Sequence, residues 1–165
     1  MQAGESKEAG FTYLLLMIWL TIIAIMLLCS EEHVAAEWRR QKEAQLLFAG
    51  DQIRKAIIEY RDNPQSDTCF PVDFSQLLED KRGGRTRYLL RKHYFDPFTG
   101  KEWGKLYDKE NRWIGIYSKG KGIPLKRKHF PARYEDFEKA KSYSDWKFIV
   151  EEDPSAPLPD RCAAK

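Results

Sequence analysis

The chain has 165 residues, with 28 Lys+Arg against 25 Asp+Glu and a formal charge of +3. That excess is too small to make the whole chain a polyanion binder, and 42% hydrophobic residues exclude a disordered chain. Ten Gly, eight Pro and three Cys exclude a collagen-like repeat, a disulfide-dense miniprotein and a four-thiolate zinc site.

Mean hydropathy is −0.62, yet residues 11–29, FTYLLLMIWLTIIAIMLLC, carry no charge, no Pro and no Gly. As a helix at about 1.5 Å per residue they reach about 28 Å, close to a bilayer's hydrocarbon core. The expectation is one membrane helix with a polar body behind it. A small soluble domain rarely holds a helix that is apolar all round. A cleaved secretory signal fits less well, because the run exceeds a signal core and Ser30-Glu31-Glu32-His33 follows instead of a small-x-small site. Lys7 lies ahead of the run and Arg39, Arg40 and Lys42 lie behind it. Counting these cations weakly favours a cytoplasmic body and does not decide orientation.

Behind the span, apolar residues recur at helical spacing: Val34, Trp38, Phe48, Ile53, Ile57 and Tyr60. Asp51 and Lys55 stand at i,i+4 in the favourable order. Gly50 is a weak point, costing about 1 kcal/mol relative to Ala. Asn63-Pro64 is a stop. Residues 11–62 therefore read as one continuous helix of about 78 Å. An anchor followed by a separate helix is the alternative.

The rest reads as a small α+β head. Asp73 with Gln76 makes a capping-box-like helix start, the helix running through Leu77-Leu78 and stopping near Gly83-Gly84. Residues 85–92 offer a further turn of helix. Asp96-Pro97-Phe98-Thr99-Gly100 is turn chemistry. A hairpin is expected over residues 103–107 and 112–118, and a third strand over 146–150. Residues 134–141 alternate in a helical way, and a Pro-rich extended tail follows residue 153. A helix against a small antiparallel sheet is the resulting architecture.

Chemistry is hard to find. His33, His93 and His129 show no ligand spacing, and no P-loop or dinucleotide fingerprint occurs. Glu151-Glu152-Asp153 reads as a solvated cluster. No enzymatic role, cofactor or metal is expected. Two basic runs stand out: Lys81, Arg82, Arg85, Arg87, Arg91 and Lys92, then Lys119, Lys121, Lys126, Arg127 and Lys128. Tyr88, Tyr94 and Phe130 are interleaved with them. On one face they make a solvated basic surface, a contact for an acidic neighbour, or a DNA footprint, in that order of preference.

The junction Ala9-Gly10-Phe11-Thr12-Tyr13-Leu14 resembles the type IV prepilin family, and most closely the pseudopilins of type II secretion systems. The head is similar as well, in Lys42-Glu43-Ala44, the Asp96-Pro97 turn and Ile116-Tyr117-Ser118 before a Gly-containing loop. The resemblance implies a pilin-like fold, with residues 1–10 as leader, 11–29 as the membrane half of a stalk helix, 30–63 as its amphipathic half and 64–165 as a periplasmic head. It implies cleavage after Gly10 by prepilin peptidase and N-methylation of Phe11. The processed chain would join other pseudopilins and inner-membrane assembly proteins in a periplasmic pseudopilus. The chain would sit in a bacterial inner membrane as a single-pass protein.

Two departures from the family matter. The family usually has Glu at the fifth mature position, where it pairs with a neighbour's terminal amine; here that position is Leu15. Major members often bind calcium in the loop after the Tyr-Ser strand, whereas residues 119–129 carry no carboxylate, so no calcium is expected there. The periplasm permits a bridge between Cys69 and Cys162, with free thiols as the alternative, while Cys29 reads as a reduced apolar filler. The second functional reading is a minor type IV pilin or competence pseudopilin with a DNA-contacting basic face. On the first reading nucleic acid is not a partner.

Overall fold

The computed structural model describes residues 6–151 and 158–162, with side chains undescribed at 6–9 and 29–33. The expectations for Cys29, for Glu152 and Asp153, for most of the Pro-rich tail and for the first leader residues therefore lie outside the described residues. The chain divides into two compact units, residues 1–40 and 41–165.

The described residues of the first unit lie in helix α1 (Ser6–Arg61). Its stretch Gly10–Leu28 has a mean hydropathy of 2.5 and none of it is buried within the chain. This is one helix long and apolar enough to cross a membrane.

The second unit is α+β. It contains the C-terminal part of α1, the short α2 (Phe74–Leu78) and an antiparallel sheet of β1 (Gly104–Tyr107), β2 (Trp113–Tyr117) and β3 (Lys147–Ile149) in the order β1-β2-β3. Gly104 pairs with Tyr117 and Ile116 with Phe148, and a bulge between Leu106 and Tyr107 closes the hairpin. Asn111 ends the connecting turn at φ 60°, a left-handed conformation that Asn tolerates.

One stripe of α1 enters the core: Leu46, Ala49, Ile53, Ala56, Ile57 and Tyr60, spaced three and four apart as one helix face requires. Val34, Trp38 and Phe48, expected on that stripe, are instead 54%, 62% and 58% exposed. Where the stripe meets β3, close approach sets the contact. A Cβ added at Gly50 would stand 2.5 Å from the Phe148 ring, so the helix meets β3 through its smallest residues. Phe148 is fully buried and packs edge-on to Trp103, Tyr134 and Phe137 at centroid distances of 6.2, 5.5 and 5.3 Å.

Other elements differ in detail. In α2, Gln76 Oε1 accepts the Val72 and Asp73 N–H groups, as the capping pattern requires, but the helix ends at Leu78, ahead of Gly83-Gly84. Residues 85–92 form no helix. Asp80 and Arg87 exchange both backbone hydrogen bonds, at 2.8 and 2.9 Å, which holds this segment extended. The helical signal at 134–141 becomes a 3-10 segment, Ala132–Lys139, kinked at Tyr134.

Candidate functional site

Gly10 and Phe11 lie within α1, which starts at Ser6. A Cβ on Gly10 would meet nothing within 4 Å, and Phe11 is 69% exposed. A helical Gly costs about 1 kcal/mol relative to Ala, and here, unlike at Gly50, no packing among the described residues accounts for it. Leu15, one turn on from Phe11, is also exposed.

In the second unit the candidate site is built around Glu43, a carboxylate only 3% exposed. It accepts hydrogen bonds from the backbone N–H of Leu125, the backbone N–H of Lys126 at 3.0 Å and the Tyr143 hydroxyl at 2.7 Å. A buried carboxylate is tolerated when its lone pairs are satisfied in this way. The loop after β2 is thus pinned to α1 at its middle. Its entrance is pinned by Asp96, fully buried, which accepts from Ser118 Oγ at 3.0 Å and Lys119 N–H at 2.9 Å while also capping Phe98 N–H and Thr99 Oγ1. Tyr143 N–H donates to Gly122 O, and Ser142 Oγ to Gly120 O. The backbone of residues 119–127 is consequently fixed while alternate side chains point to solvent.

The two basic runs meet α1 at different levels, although Lys92 at the end of the first lines the same pocket as Asp96, which holds the Lys119 N–H. Arg87 pairs with Glu59 at 2.8 Å, whereas Lys126 hangs on Glu43; these anchors stand about 24 Å apart along a helix. Arg85 and Arg91 are exposed in the first run, and Lys119, Lys121 and Lys128 in the second. Arg127 is exposed but donates to Ala140 O at 2.9 Å, and Lys126 lies with Nζ 4.7 Å from the Phe130 ring centroid. Arg82 is structural. It clamps both oxygens of Asp80 at 2.9 Å, stacks on Tyr60 with Cζ 3.4 Å from the ring centroid and donates to Asp67 O and Tyr60 O. Burial alone would raise the Asp80 pKa, but the hydrogen bonds from Arg82 outweigh it and lower it.

Cys69 and Cys162 are joined in a disulfide that closes a separation of 93 residues. It lies beside Arg82, whose Nη1 is 3.3 Å from Cys69 Sγ. The bridge fixes a short parallel pairing in which Phe70 N–H donates to Asp160 O and Cys162 N–H to Phe70 O, both at 2.9 Å.

A polar triad carries only part of its signature in the sequence. Arg54, 2% exposed, donates to Asp51 at 3.1 Å and to the Tyr134 hydroxyl at 2.9 Å, and that hydroxyl donates to Asp51 at 2.7 Å. Burial raises the Asp51 pKa, yet hydrogen bonds from Lys55, Tyr134 and Arg54 prevail and bring it down to about 2. Burial pushes the Tyr134 phenol well above its ordinary value. The Asp51–Arg54 i,i+3 spacing was a visible signal; the tyrosine comes from elsewhere in the chain. Among the described residues no group of three or more His, Cys, Asp or Glu side chains is placed to hold a metal ion.

No protein-family profile, no curated protein and no solved structure matches the chain.

Proposed function

We propose that the chain is a pseudopilin, a structural subunit that prepilin peptidase processes at Gly10–Phe11 and that assembles into a periplasmic filament of a type II secretion system. The observation that carries this reading is the junction itself. Among the described residues Gly10 has no packing role, and it stands at the first position of the apolar stretch Gly10–Leu28. A glycine there suits a protease that needs the backbone extended and free of a side chain. Because α1 begins at Ser6, cleavage requires local unwinding of the helix start, which Gly10 facilitates. The long α1 with a three-stranded antiparallel sheet accords with a pilin-like fold, and the exposed apolar helix is suited to packing beside identical helices. On this reading the protein works by polymerising, and no reaction is assigned to it.

The deciding experiment is co-expression with a prepilin peptidase, followed by mass spectrometry of the intact chain. The expected product begins at N-methylated Phe11. An uncut chain, or one cut after Cys29, overturns the reading.

A minor type IV pilin or competence pseudopilin is the second reading, favoured by the exposed Arg85, Tyr88 and Arg91. Duplex DNA binding lost in Arg85→Ala/Arg91→Ala distinguishes it.

A further inference from the structure

Exposure along the loop after β2 alternates strictly. Lys119, Lys121, Ile123, Leu125 and Arg127 are exposed, while Gly120, Gly122, Pro124 and Lys126 are buried or half-buried. Period-two alternation is normally the mark of a strand with one wet face. Here no strand pairing produces it. It arises from the backbone anchors Asp96, Glu43 and Tyr143. The outward row reads cation, cation, aliphatic, aliphatic, cation, and Lys128 adds another exposed charge. Ile123 is 60% and Leu125 42% exposed. No carboxylate occurs between Lys119 and Tyr134. Of the acids that follow or underlie the loop, Glu43 is buried beneath it and Asp145 accepts from the N–H groups of Lys141 and Ser142, while Glu135, Asp136 and Glu138 are exposed on the separate 3-10 segment, Asp136 facing Lys139 at 3.8 Å.

Two exposed aliphatic side chains framed by cations on a rigid backbone match an anionic bilayer surface. The aliphatic tips enter the headgroup boundary while the cations meet phosphates. Nucleic acid would use the cations but takes up aliphatic tips only by unstacking base steps at a cost, whereas the headgroup boundary takes them up directly. We infer that the face formed by Lys119, Lys121, Ile123, Leu125, Arg127 and Lys128 docks the head onto anionic phospholipid. The inference rests on the reading that Gly10–Leu28 spans the membrane, which keeps the bilayer at high effective concentration beside the head. Each cation near such a surface is worth about 1 kcal/mol, or roughly fivefold in the docked-to-free ratio.

The test uses the full chain in nanodiscs of phosphatidylcholine alone or with phosphatidylglycerol. A nitroxide is placed at Ile123→Cys in a Cys29→Ala background, and its accessibility to oxygen and to a water-soluble nickel chelate gives its depth. A second chain carries the nitroxide at Leu20→Cys. The expected result is a label at position 123 that enters the headgroup region only in anionic discs. It should return to water in high salt, and in Lys121→Glu/Lys128→Glu by at least about 25-fold in the docked-to-free ratio. An intact Cys69–Cys162 bridge in the variant reports that the head is folded. Position 123 remaining aqueous in anionic discs while position 20 is immersed overturns the docking and leaves the span reading standing. An aqueous position 20 overturns both. Equal immersion in the two lipids, or protection by duplex DNA without immersion in anionic lipid, also overturns the docking.

Discussion

The backbone of Gly50 lies against the Phe148 ring so closely that any side chain at position 50 would overlap it, an added Cβ standing 2.5 Å from ring carbons. Gly50→Ala therefore sets two effects against each other. Helix propensity gains about 1 kcal/mol. Displacing a fully buried ring from its aromatic neighbours costs about 1–3 kcal/mol. A net loss of roughly 1 kcal/mol is expected, measured by denaturant unfolding. A more stable Gly50→Ala variant would mean that the ring yields without strain.

Glu43 gathers three donors from residues far along the chain. Glu43→Ala leaves them unpaired, at an expected cost of about 3 kcal/mol, whereas Tyr143→Phe removes one bond and costs about 1–2 kcal/mol. Amide hydrogen exchange at Leu125 and Lys126 should accelerate in the first variant and much less in the second. Equal exchange in both would contradict Glu43 as the anchor of the loop.

Asp51 is expected to make the head acid-sensitive. Its folded pKa, about 2, lies below the usual 3.8, because hydrogen bonds from Lys55, Tyr134 and Arg54 overcome the opposing effect of burial. A depressed folded pKa means the stabilisation is fully present above the unfolded value and is lost as pH falls through the folded one. Between pH 4 and 2 the expected loss from this group is on the order of 2 kcal/mol. Asp51→Asn should flatten that part of the stability–pH curve, read by thermal unfolding; an unchanged slope assigns the acid sensitivity to other carboxylates.

Reducing the Cys69–Cys162 bridge should lower stability by about 2–4 kcal/mol, since it closes a long loop in the unfolded chain. The amides of Phe70 and Cys162 should lose protection first, because the parallel pairing they form has no longer strand behind it. Identical melting with and without reductant would make the bridge dispensable.

On the pseudopilin reading, Leu15 removes one carboxylate–ammonium contact from assembly. Wild-type protein overproduced with assembly machinery should form no long homopolymer, and Leu15→Glu should increase sheared filament yield. Placing the carboxylate in lipid costs on the order of 2–3 kcal/mol at mid-span and less near the edge. Abundant wild-type filaments of this subunit alone, seen by immunoblot after shearing, would show that Leu15 is no obstacle.

Local signals in the sequence were enough for the uncharged span, the helix start at Asp73, the Asp96 turn and the three strands. Each depends on neighbouring residues: an uninterrupted apolar run, a cap spaced by three, an alternation of two. The Gly10–Phe11 pattern is local too, and it carries the proposal of processing made above rather than a feature of the fold. Ile53, Ile57 and Tyr60 marked the buried stripe of α1 in the sequence, but tertiary structure decided how far along the helix that stripe is covered and which residues beside them join it. Large residues such as Trp38 and Phe48 carried the periodic signal, but the sheet approaches where the helix is thinnest, at Ala49 and Gly50. It also decided the fate of the buried charges. Glu43 finds its partners on other elements, and Arg54 and Asp96 add to local partners a distant one each, Tyr134 and Ser118; for Glu43 and Arg54 the distant partner is more than 75 residues along the chain. Spacing within one helix or loop carries no information about such partners, and desolvation makes those distant hydrogen bonds obligatory. The outward register of residues 119–127 follows from these anchors, so a run that reads only as basic in sequence becomes an alternating face once the chain is folded.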